Sequence, residues 1–220
     1  MQISIGTISV VITTHGNADD LDGMLSCLRQ QREYLERTRK GIRGTLVDRW
    51  IAGPRLFDPV ETVIAHDGEY PWSRAESFLV SKVIECPKQG GVGHHTRGPG
   101  IEAATGAWIV LTNSDNYFVN GWQDRVIKTI LDEGGPRKVG VAYWNCINNL
   151  WAWTDHGGSK ISRGSIDLSC AIVRADIAKK VGFPWRDYDG DFDYILACCD
   201  LAGELKLKVV QMNQTLCVHN

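Results

Sequence analysis

The sequence lacks any apolar run that approaches the roughly 20 residues needed to span a bilayer, so we expect no transmembrane helix. No C-x-x-C pair occurs among its seven cysteines, which argues against a structural zinc site. An odd number of cysteines without a signal peptide favours free thiols in a reducing compartment. We therefore expect a cytoplasmic protein, either free or peripheral to a membrane.

An excess of charge of either sign is also missing. The chain has 24 Lys and Arg against 26 Asp and Glu, for a formal charge of -2, which gives no reason to expect nucleic acid as a partner. The most basic stretch, residues 29–43, is interrupted by Glu33 and Glu36, and we interpret it as a solvated helix face. A length of 220 residues with 43% hydrophobic residues predicts one globular domain with a full core.

Short β-branched apolar runs alternate with helical patterns along the chain. This alternation predicts an α/β fold in which a mainly parallel central sheet has helices on both faces. The predicted strands cover residues 8–12, 61–65, 107–112, 139–144, 169–173 and 206–211, and the predicted helices cover 18–40, 74–83, 101–105, 121–133, 175–181 and 192–203. Residues 87–100, which are rich in glycine, are predicted to form a loop.

Polar clusters follow three of the predicted strands, at residues 13–16, 66–69 and 113–116. Each cluster alone is typical of a turn that ends a strand. In open α/β sheets, however, ligands bind beyond the carboxyl ends of the strands. All three clusters together therefore indicate a shared binding crevice.

Asp115 is the candidate metal ligand in that crevice. A carboxylate at the end of a buried strand suits a hard divalent cation, because Mg²⁺ or Mn²⁺ takes one or two carboxylates together with substrate phosphate oxygens. Asn113 lies two residues earlier and points the same way along an extended segment. Its uncharged amide suits a hydrogen bond to a ribose hydroxyl or to a metal-bound water.

The order and spacing of these motifs resemble those of family 2 glycosyltransferases over most of the chain. Residues 8–16 resemble the family's opening strand and loop, and residues 63–69 its second strand, which ends in a paired-aspartate, Gly, Ser pattern. Residues 97–116 give the strongest resemblance, to an Arg-Asn-x-Gly segment followed by a helix, a strand and an Asp-x-Asp motif. Residues 164–184 resemble the acceptor-side strand, and residues 189–191 stand where the family has a Glu-Asp pair.

The resemblance implies one GT-A (Rossmann-like) domain over residues 1–220, with a nucleotide-sugar-binding half at 1–120 and an acceptor-binding half at 121–220. It implies that a nucleotide diphosphate sugar, by default a UDP-sugar, donates its sugar with inversion to a hydroxyl of a glycan or other acceptor. Mn²⁺ or Mg²⁺ would be held by Asp115 and by His219, for which a frayed terminal residue is the alternative. Asp191 is the candidate general base, with Asp189 beside it, and either could instead be the N-cap of the following helix.

The remaining site residues follow from the same resemblance. For Arg97, which would pair with phosphate or the donor sugar, a surface salt bridge is the alternative. Three tryptophans in the acceptor-side segment would stack on a sugar, with core packing as the competing account. The donor-binding residues are Thr13, Thr14, His15, His66, Asp67, Arg97, Asn113, Ser114 and Asp115, and the acceptor-binding residues are Trp144, Trp151 and Trp153.

The sequence departs from the family pattern at four of these positions. Asn113 replaces the first aspartate of the metal motif, His66 the first aspartate of the second-strand pair, Thr13 a proline and Gly98 an asparagine. With one carboxylate missing, Asp115 needs the donor's phosphates, and His219, to share the metal. The change at His66 leaves GDP and dTDP as alternatives to UDP.

Two other functions compete with this interpretation. A nucleotidyltransferase that makes sugar nucleotides needs a glycine-rich, basic phosphate loop after the first strand, but residues 13–17 have one glycine and no Lys or Arg. A non-catalytic carbohydrate-binding module would explain the eight tryptophans but not three polar clusters at strand ends.

Overall fold

The computed structural model describes residues 5–15, 18–41, 60–68, 79–89, 93–148, 154–156, 161–184 and 189–219. Its strands are β1 (Ile8–Thr14), β2 (Val60–His66), β3 (Lys82–Glu85), β4 (Trp108–Asn113), β5 (Asn116–Phe118), β6 (Val139–Asn148), β7 (Thr154–His156), β8 (Ala171–Arg174) and β9 (Lys208–His219). Its helices are α1 (Ala18–Gly41), α2 (His94–Ala103), α3 (Trp122–Asp132), α4 (Ala175–Val181) and α5 (Gly190–Glu204), with a short 3-10 helix at Leu168–Cys170. None of the helices described is long and apolar enough to cross a membrane.

The β-branched run of β1 lies at the centre of the parallel part of the sheet. All seven of its residues are buried, and it pairs in parallel with β2 on one side and β4 on the other. A strand covered on both faces is apolar throughout rather than alternating, which is the pattern that predicts β1 from the sequence. The α/β class is therefore confirmed.

The sheet is mixed, so the prediction of a mainly parallel sheet is wrong. The strand order is β3-β2-β1-β4-β8-β6-β9-β5, with β7 paired to β6. Among the described residues four of the eight strand pairings are antiparallel: β4 with β8, β6 with β8, β6 with β7 and β5 with β9. A buried strand has the same apolar pattern in either direction, so its composition does not reveal which way it runs.

Helix α2 begins inside the segment predicted as a glycine-rich loop. The sequence does not predict this helix, because Gly98, Pro99 and Gly100 are poor helix formers. Packing explains why it forms: Arg97 and Ile101 are buried, and a Cβ on Gly100 would lie 2.5 Å from Cγ1 of Val11. The glycine lets the helix lie directly against β1.

Smaller differences concern element ends. The predicted helix at 74–83 is wrong at its end, because Lys82 begins β3, and residues 71–78 lie outside the described part of the chain, as do residues 42–59. The three-residue strand β5 is too short to have a recognisable pattern and is not predicted. Strand β9 continues to His219, eight residues beyond its predicted end, because β5 and β6 pair with it there.

A buried carboxylate joins the strands at the end of the sheet opposite the polar clusters. Glu61 accepts hydrogen bonds from Ser9 Oγ at 2.5 Å and from the backbone nitrogen and Oγ1 of Thr105, both at 2.7 Å, and Lys82 Nζ lies 3.3 Å away. Burial alone would raise the pKa of Glu61, but these donors outweigh it and lower the pKa to about 2. The ionised carboxylate thereby ties β1 and β2 to the turn that leads into β4.

Replacing this carboxylate should destabilise the fold in a pH-dependent way. We expect Glu61→Gln to lower the free energy of unfolding by about 2–3 kcal/mol at pH 7, because a group with a depressed folded-state pKa stabilises the fold when it is ionised. The stabilisation is complete above the unfolded-state pKa near 4.5 and is lost as the pH falls towards about 2. Urea denaturation at several pH values measures it, with the exposed Glu85→Gln as control. A loss that does not depend on pH would contradict the assignment.

Candidate functional site

The polar ends of β1, β2 and β4 lie side by side, as predicted. Thr13 is paired with Asn113 in the β1–β4 register, and Thr14 with His66 in the β1–β2 register. Thr13 Oγ1 donates a hydrogen bond to Asn113 Oδ1 at 3.0 Å, and the backbone nitrogen of Ser114 donates one to the carbonyl of Thr13. The three clusters therefore form one continuous polar edge of the sheet.

Arg97 connects this edge to the start of helix α5. Its Nη1 donates to Asp191 Oδ1 at 2.5 Å and its Nη2 to Asn113 Oδ1 at 3.2 Å. Its guanidinium lies 5.0 Å from the ring centroid of Phe183, and the residue is only 3% exposed. The alternative of a surface salt bridge is therefore wrong, because the guanidinium of Arg97 is buried and the side chain of Asp191 is only 19% exposed.

Asp191 is placed by the first turn of α5, where its carboxylate also accepts a hydrogen bond from the backbone of Leu168. Burial raises the pKa of Asp191 to about 6, while the charge of Arg97 lowers it and that of Asp167 raises it. Such a carboxylate is ionised at pH 7 yet is a stronger base than an ordinary aspartate. This is the combination that a general base at neutral pH requires.

Asp189 has a different environment from Asp191. It occupies the N-cap position of α5, but its side chain caps no backbone nitrogen. Instead it pairs on the exposed surface with Arg163, which also binds Asp193 at 3.0 Å. We therefore keep Asp191 as the candidate base and assign Asp189 to the surface ion-pair group.

His219 is fixed at the end of β9 rather than frayed. It pairs with Asn116 of β5, and its Nδ1 lies 2.6 Å from Asn116 Oδ1 and 3.5 Å from Asp167 Oδ2. Asn116 Nδ2 in turn donates to Asp167 Oδ1 at 3.1 Å. Burial raises the pKa of Asp115, the neighbouring His219 lowers it and Asp167 raises it, so these side chains share one electrostatic environment.

The residues around Asp115 have the chemistry of a divalent-cation site. Asp115 Oδ1 is buried and accepts no hydrogen bond within the part of the chain that the structure describes. Buried polar atoms are normally paired, so an unpaired carboxylate oxygen points to a ligand. Asn116 Oδ1 lies 2.6 Å from Nδ1 of His219, and this contact fixes the orientation of the imidazole ring. A carboxylate combined with an imidazole suits Mn²⁺ better than Mg²⁺.

Asp167 adds to the candidate site a carboxylate that the sequence does not predict. Its Oδ1 accepts hydrogen bonds from the backbone nitrogen and the hydroxyl of Ser169 at the start of the 3-10 helix. An Asp two residues before a Ser is typical of an ordinary turn, so the sequence carries no signal of function there. Only the folding of the chain brings this carboxylate beside Asn116 and His219.

The end of β2 provides a second acidic group, flanked by imidazoles. Asp67 Oδ1 lies 2.9 Å from His15 Nδ1, and its Oδ2 lies 3.2 Å from His95 Nε2. Gly93 permits this arrangement, because a Cβ there would lie 1.9 Å from His15 Nε2. His66 is buried, with its Nδ1 2.9 Å from the carbonyl of Gly68.

The tryptophan predictions have mixed outcomes. Trp144 is fully buried, and its ring centroid lies 6.3 Å from that of Trp122. A side chain without exposed surface cannot stack on a sugar, so Trp144 belongs to the core and the prediction for it is wrong. Trp151 and Trp153 lie outside the described residues.

Known structures share this fold at low sequence identity. The structure of S. aureus TarS residues 1–349 matches with a TM-score of 0.65 at 11% identity, covering 97% of this chain and 60% of that chain. The mannosyltransferase PcManGT from Pyrobaculum calidifontis, in complex with GDP-Man and Mn²⁺, matches at 0.60 and 14% identity, covering 97% and 56%. S. aureus TarS 1–349 in complex with UDP-GlcNAc matches at 0.56 and 12% identity, covering 96% and 58%.

These matches confirm a GT-A-like glycosyltransferase fold. The chain spans 60% or less of the length of these structures. No family model and no curated protein matches the chain.

The Arg97–Asp191 pair allows a direct test of the site's electrostatics. We expect Arg97→Gln to raise the pKa of Asp191 above about 6, because it removes the cation that favours the carboxylate form. Carboxyl-carbon NMR titration measures the change, with Asp191→Asn to assign the signal. Arg163→Gln, which disturbs the pairs with Asp189 and Asp193, is the matched control and should leave Asp191 unchanged. Equal changes in the pKa of Asp191 in the two variants would refute the Arg97–Asp191 ion pair.

Proposed function

We propose that this chain, which has the fold of GT-A-like glycosyltransferases, moves a sugar from a nucleotide diphosphate sugar to an acceptor hydroxyl with the aid of a divalent cation. The observation that carries the proposal is the buried Oδ1 of Asp115, which has no hydrogen-bond partner among the described residues and shares one electrostatic environment with His219 and Asp167, together with the Arg97–Asp191 pair on the same sheet edge. Structures with this fold have been solved with UDP-GlcNAc, with UDP, and with GDP-Man and Mn²⁺, which supports a nucleotide-sugar donor.

The metal end of the site serves the leaving group. Asp115 and His219 would hold Mn²⁺ or Mg²⁺, with Asp167 beside the imidazole of His219, and the ion would neutralise the donor's diphosphate and stabilise the departing nucleotide. Asn113 does not add a charge there. Its Oδ1 already accepts from Thr13 and Arg97, so its Nδ2 is the group left to donate to a ribose hydroxyl of the donor.

We assign recognition of the nucleotide's heterocyclic base to Asp67, which follows strand β2. A carboxylate accepts a hydrogen bond from the ring N–H that uracil, thymine and guanine each present, so Asp67 is compatible with all three. His15 hydrogen-bonds to one oxygen of this carboxylate, and Nε2 of His95 lies 3.2 Å from the other. UDP is the proposed donor nucleotide, with GDP and dTDP as the alternatives that the same chemistry accepts.

Asp191 is the proposed general base. Its carboxylate would take the proton from the acceptor hydroxyl as that oxygen attacks the anomeric carbon. Arg97 fixes the carboxylate and keeps it ionised at neutral pH, since the cation opposes the pKa increase that burial causes. Attack from the face opposite the leaving diphosphate inverts the anomeric configuration. A glycan or another hydroxyl compound is the proposed acceptor.

A carbohydrate-binding module remains the weaker proposal. It depends on exposed tryptophans, yet the three that the described residues contain, Trp108, Trp122 and Trp144, are all buried. Such a module also has no use for an unpaired buried carboxylate at Asp115.

Metal-dependent nucleotide binding tests the donor site. We expect UDP to bind at least about tenfold more tightly with Mn²⁺ than without it, because the ion bridges the carboxylates and the diphosphate. Asp115→Ala should abolish this enhancement in isothermal titration calorimetry. Asp132→Asn, which changes an exposed carboxylate on α3, is the control. A UDP affinity that does not change with Mn²⁺ would refute the role of Asp115 in metal binding. An Asp115→Ala protein with the same Mn²⁺-dependent affinity as the wild type would also refute it.

Turnover of sugar nucleotides tests the role of Asp191 as general base. Asp191→Asn should lower kcat by about 10²–10⁴-fold, because it removes general base catalysis, whereas Asp189→Asn should change it little. In the wild type, kcat/KM should fall as the pH drops below about 6, where Asp191 becomes protonated. Slow hydrolysis of UDP-sugars provides the assay, and NMR of the released sugar gives its configuration. A product that retains the donor's configuration would exclude Asp191 as a base on the opposite face.

A further inference from the structure

Three buried thiols meet behind the candidate metal site. Cys146 belongs to β6, Cys170 ends the 3-10 helix before β8, and Cys217 belongs to β9. Each is at most 1% exposed, and their three Sγ atoms all lie within 4.8 Å of one another. All seven cysteines of the chain are free thiols.

The sheet itself brings these thiols together. Cys146 and Cys217 are paired in the β6–β9 register, and that register shifts on both sides of Asn145, immediately before Cys146. Such irregularities re-aim the side chains next to them. Strand β8 pairs with β6 on its other side, so Cys170, which directly precedes β8, reaches the same place.

One of the three sulfur–sulfur distances equals that of a metal–thiolate site, and the other two are at most 4.8 Å. A metal–sulfur distance of about 2.3 Å places the sulfurs about 4.0 Å apart around a three-coordinate ion and about 3.8 Å apart around a tetrahedral one. Sγ of Cys170 lies 3.9 Å from Sγ of Cys217. The alternative account is core packing, since free cysteines are among the most buried residues, and it predicts no affinity for metal.

We propose that Cys146, Cys170 and Cys217 bind a soft, thiophilic metal ion through three thiolates. Each thiol that binds releases its proton to solvent. The ligand number favours Cu(I), because zinc in proteins almost always takes a fourth ligand. Ser169 Oγ, 3.3 Å from Cys217 Sγ, is the adjacent oxygen that could complete a zinc site.

This site is separate from the proposed oxygen-rich site at Asp115, although Cys217 lies only two residues before His219. Thiolates select soft ions, whereas carboxylates suit Mn²⁺ and Mg²⁺. The inference therefore does not depend on the proposed glycosyltransferase activity. Either proposal can fail without the other, provided that the two sites are tested by separate variants.

The test is an anaerobic titration of the full, reduced chain with Cu(I) and, separately, with Zn²⁺. We expect one Cu(I) ion to bind per chain, with an ultraviolet thiolate-to-metal absorption band and with affinity measured against a chelator. Cys146→Ala, Cys170→Ala and Cys217→Ala should each weaken binding by at least about tenfold. Cys198→Ala, which removes a buried thiol outside the cluster, and Asp115→Ala should both bind like the wild type.

A second measurement needs no variant and covers the case in which a cysteine variant fails to fold. The bound ion should protect these three cysteines, and not Cys198, from alkylation in partly denatured wild-type protein, as mapped by mass spectrometry. Tighter binding of Zn²⁺ than of Cu(I), weakened by Ser169→Ala, would support the site with a fourth ligand. An absent thiolate band, or alkylation that the ions do not change, would overturn the proposal.

Discussion

The buried ion pair between Arg97 and Asp191 is the interaction on which the candidate site depends. A buried charge pair is costly to desolvate, and loss of one partner leaves an uncompensated charge. The same guanidinium also donates a hydrogen bond to Asn113 at the end of β4. One cation thus fixes the position of the strand-end motif relative to helix α5, and it limits how far burial raises the pKa of Asp191.

The candidate metal site depends on a different long-range contact. His219 and Asn116 are 103 residues apart, and the pairing of β5 with β9 brings them together. Asp167 joins them from the turn before β8. Asp167 supplies a carboxylate beside Asn116 and His219, while the amide oxygen of Asn113 accepts hydrogen bonds from Thr13 and Arg97.

The cysteine cluster and the candidate metal site share strand β9 and the turn at residues 167–170. Ser169 contacts both Asp167 and Cys217, so the two sets of ligands are neighbours in one framework. A carboxylate site and a thiolate site can lie side by side there, because oxygen and sulfur ligands select different ions. The buried thiols are thereby a feature that the glycosyltransferase proposal does not require.

The sequence by itself determined the elements whose signals are local. The β-branched run of β1 and the polar ends of β1, β2 and β4 follow from burial and from strand polarity, and they locate Asp115 and the crevice. Tertiary structure alone decided the direction of β8, the helix at Gly98–Gly100, the burial of Trp144 and the position of Asp167. These features depend on which distant residues pack together, and apolar patterns, turn residues and tryptophans are the same in the sequence whichever neighbour they meet.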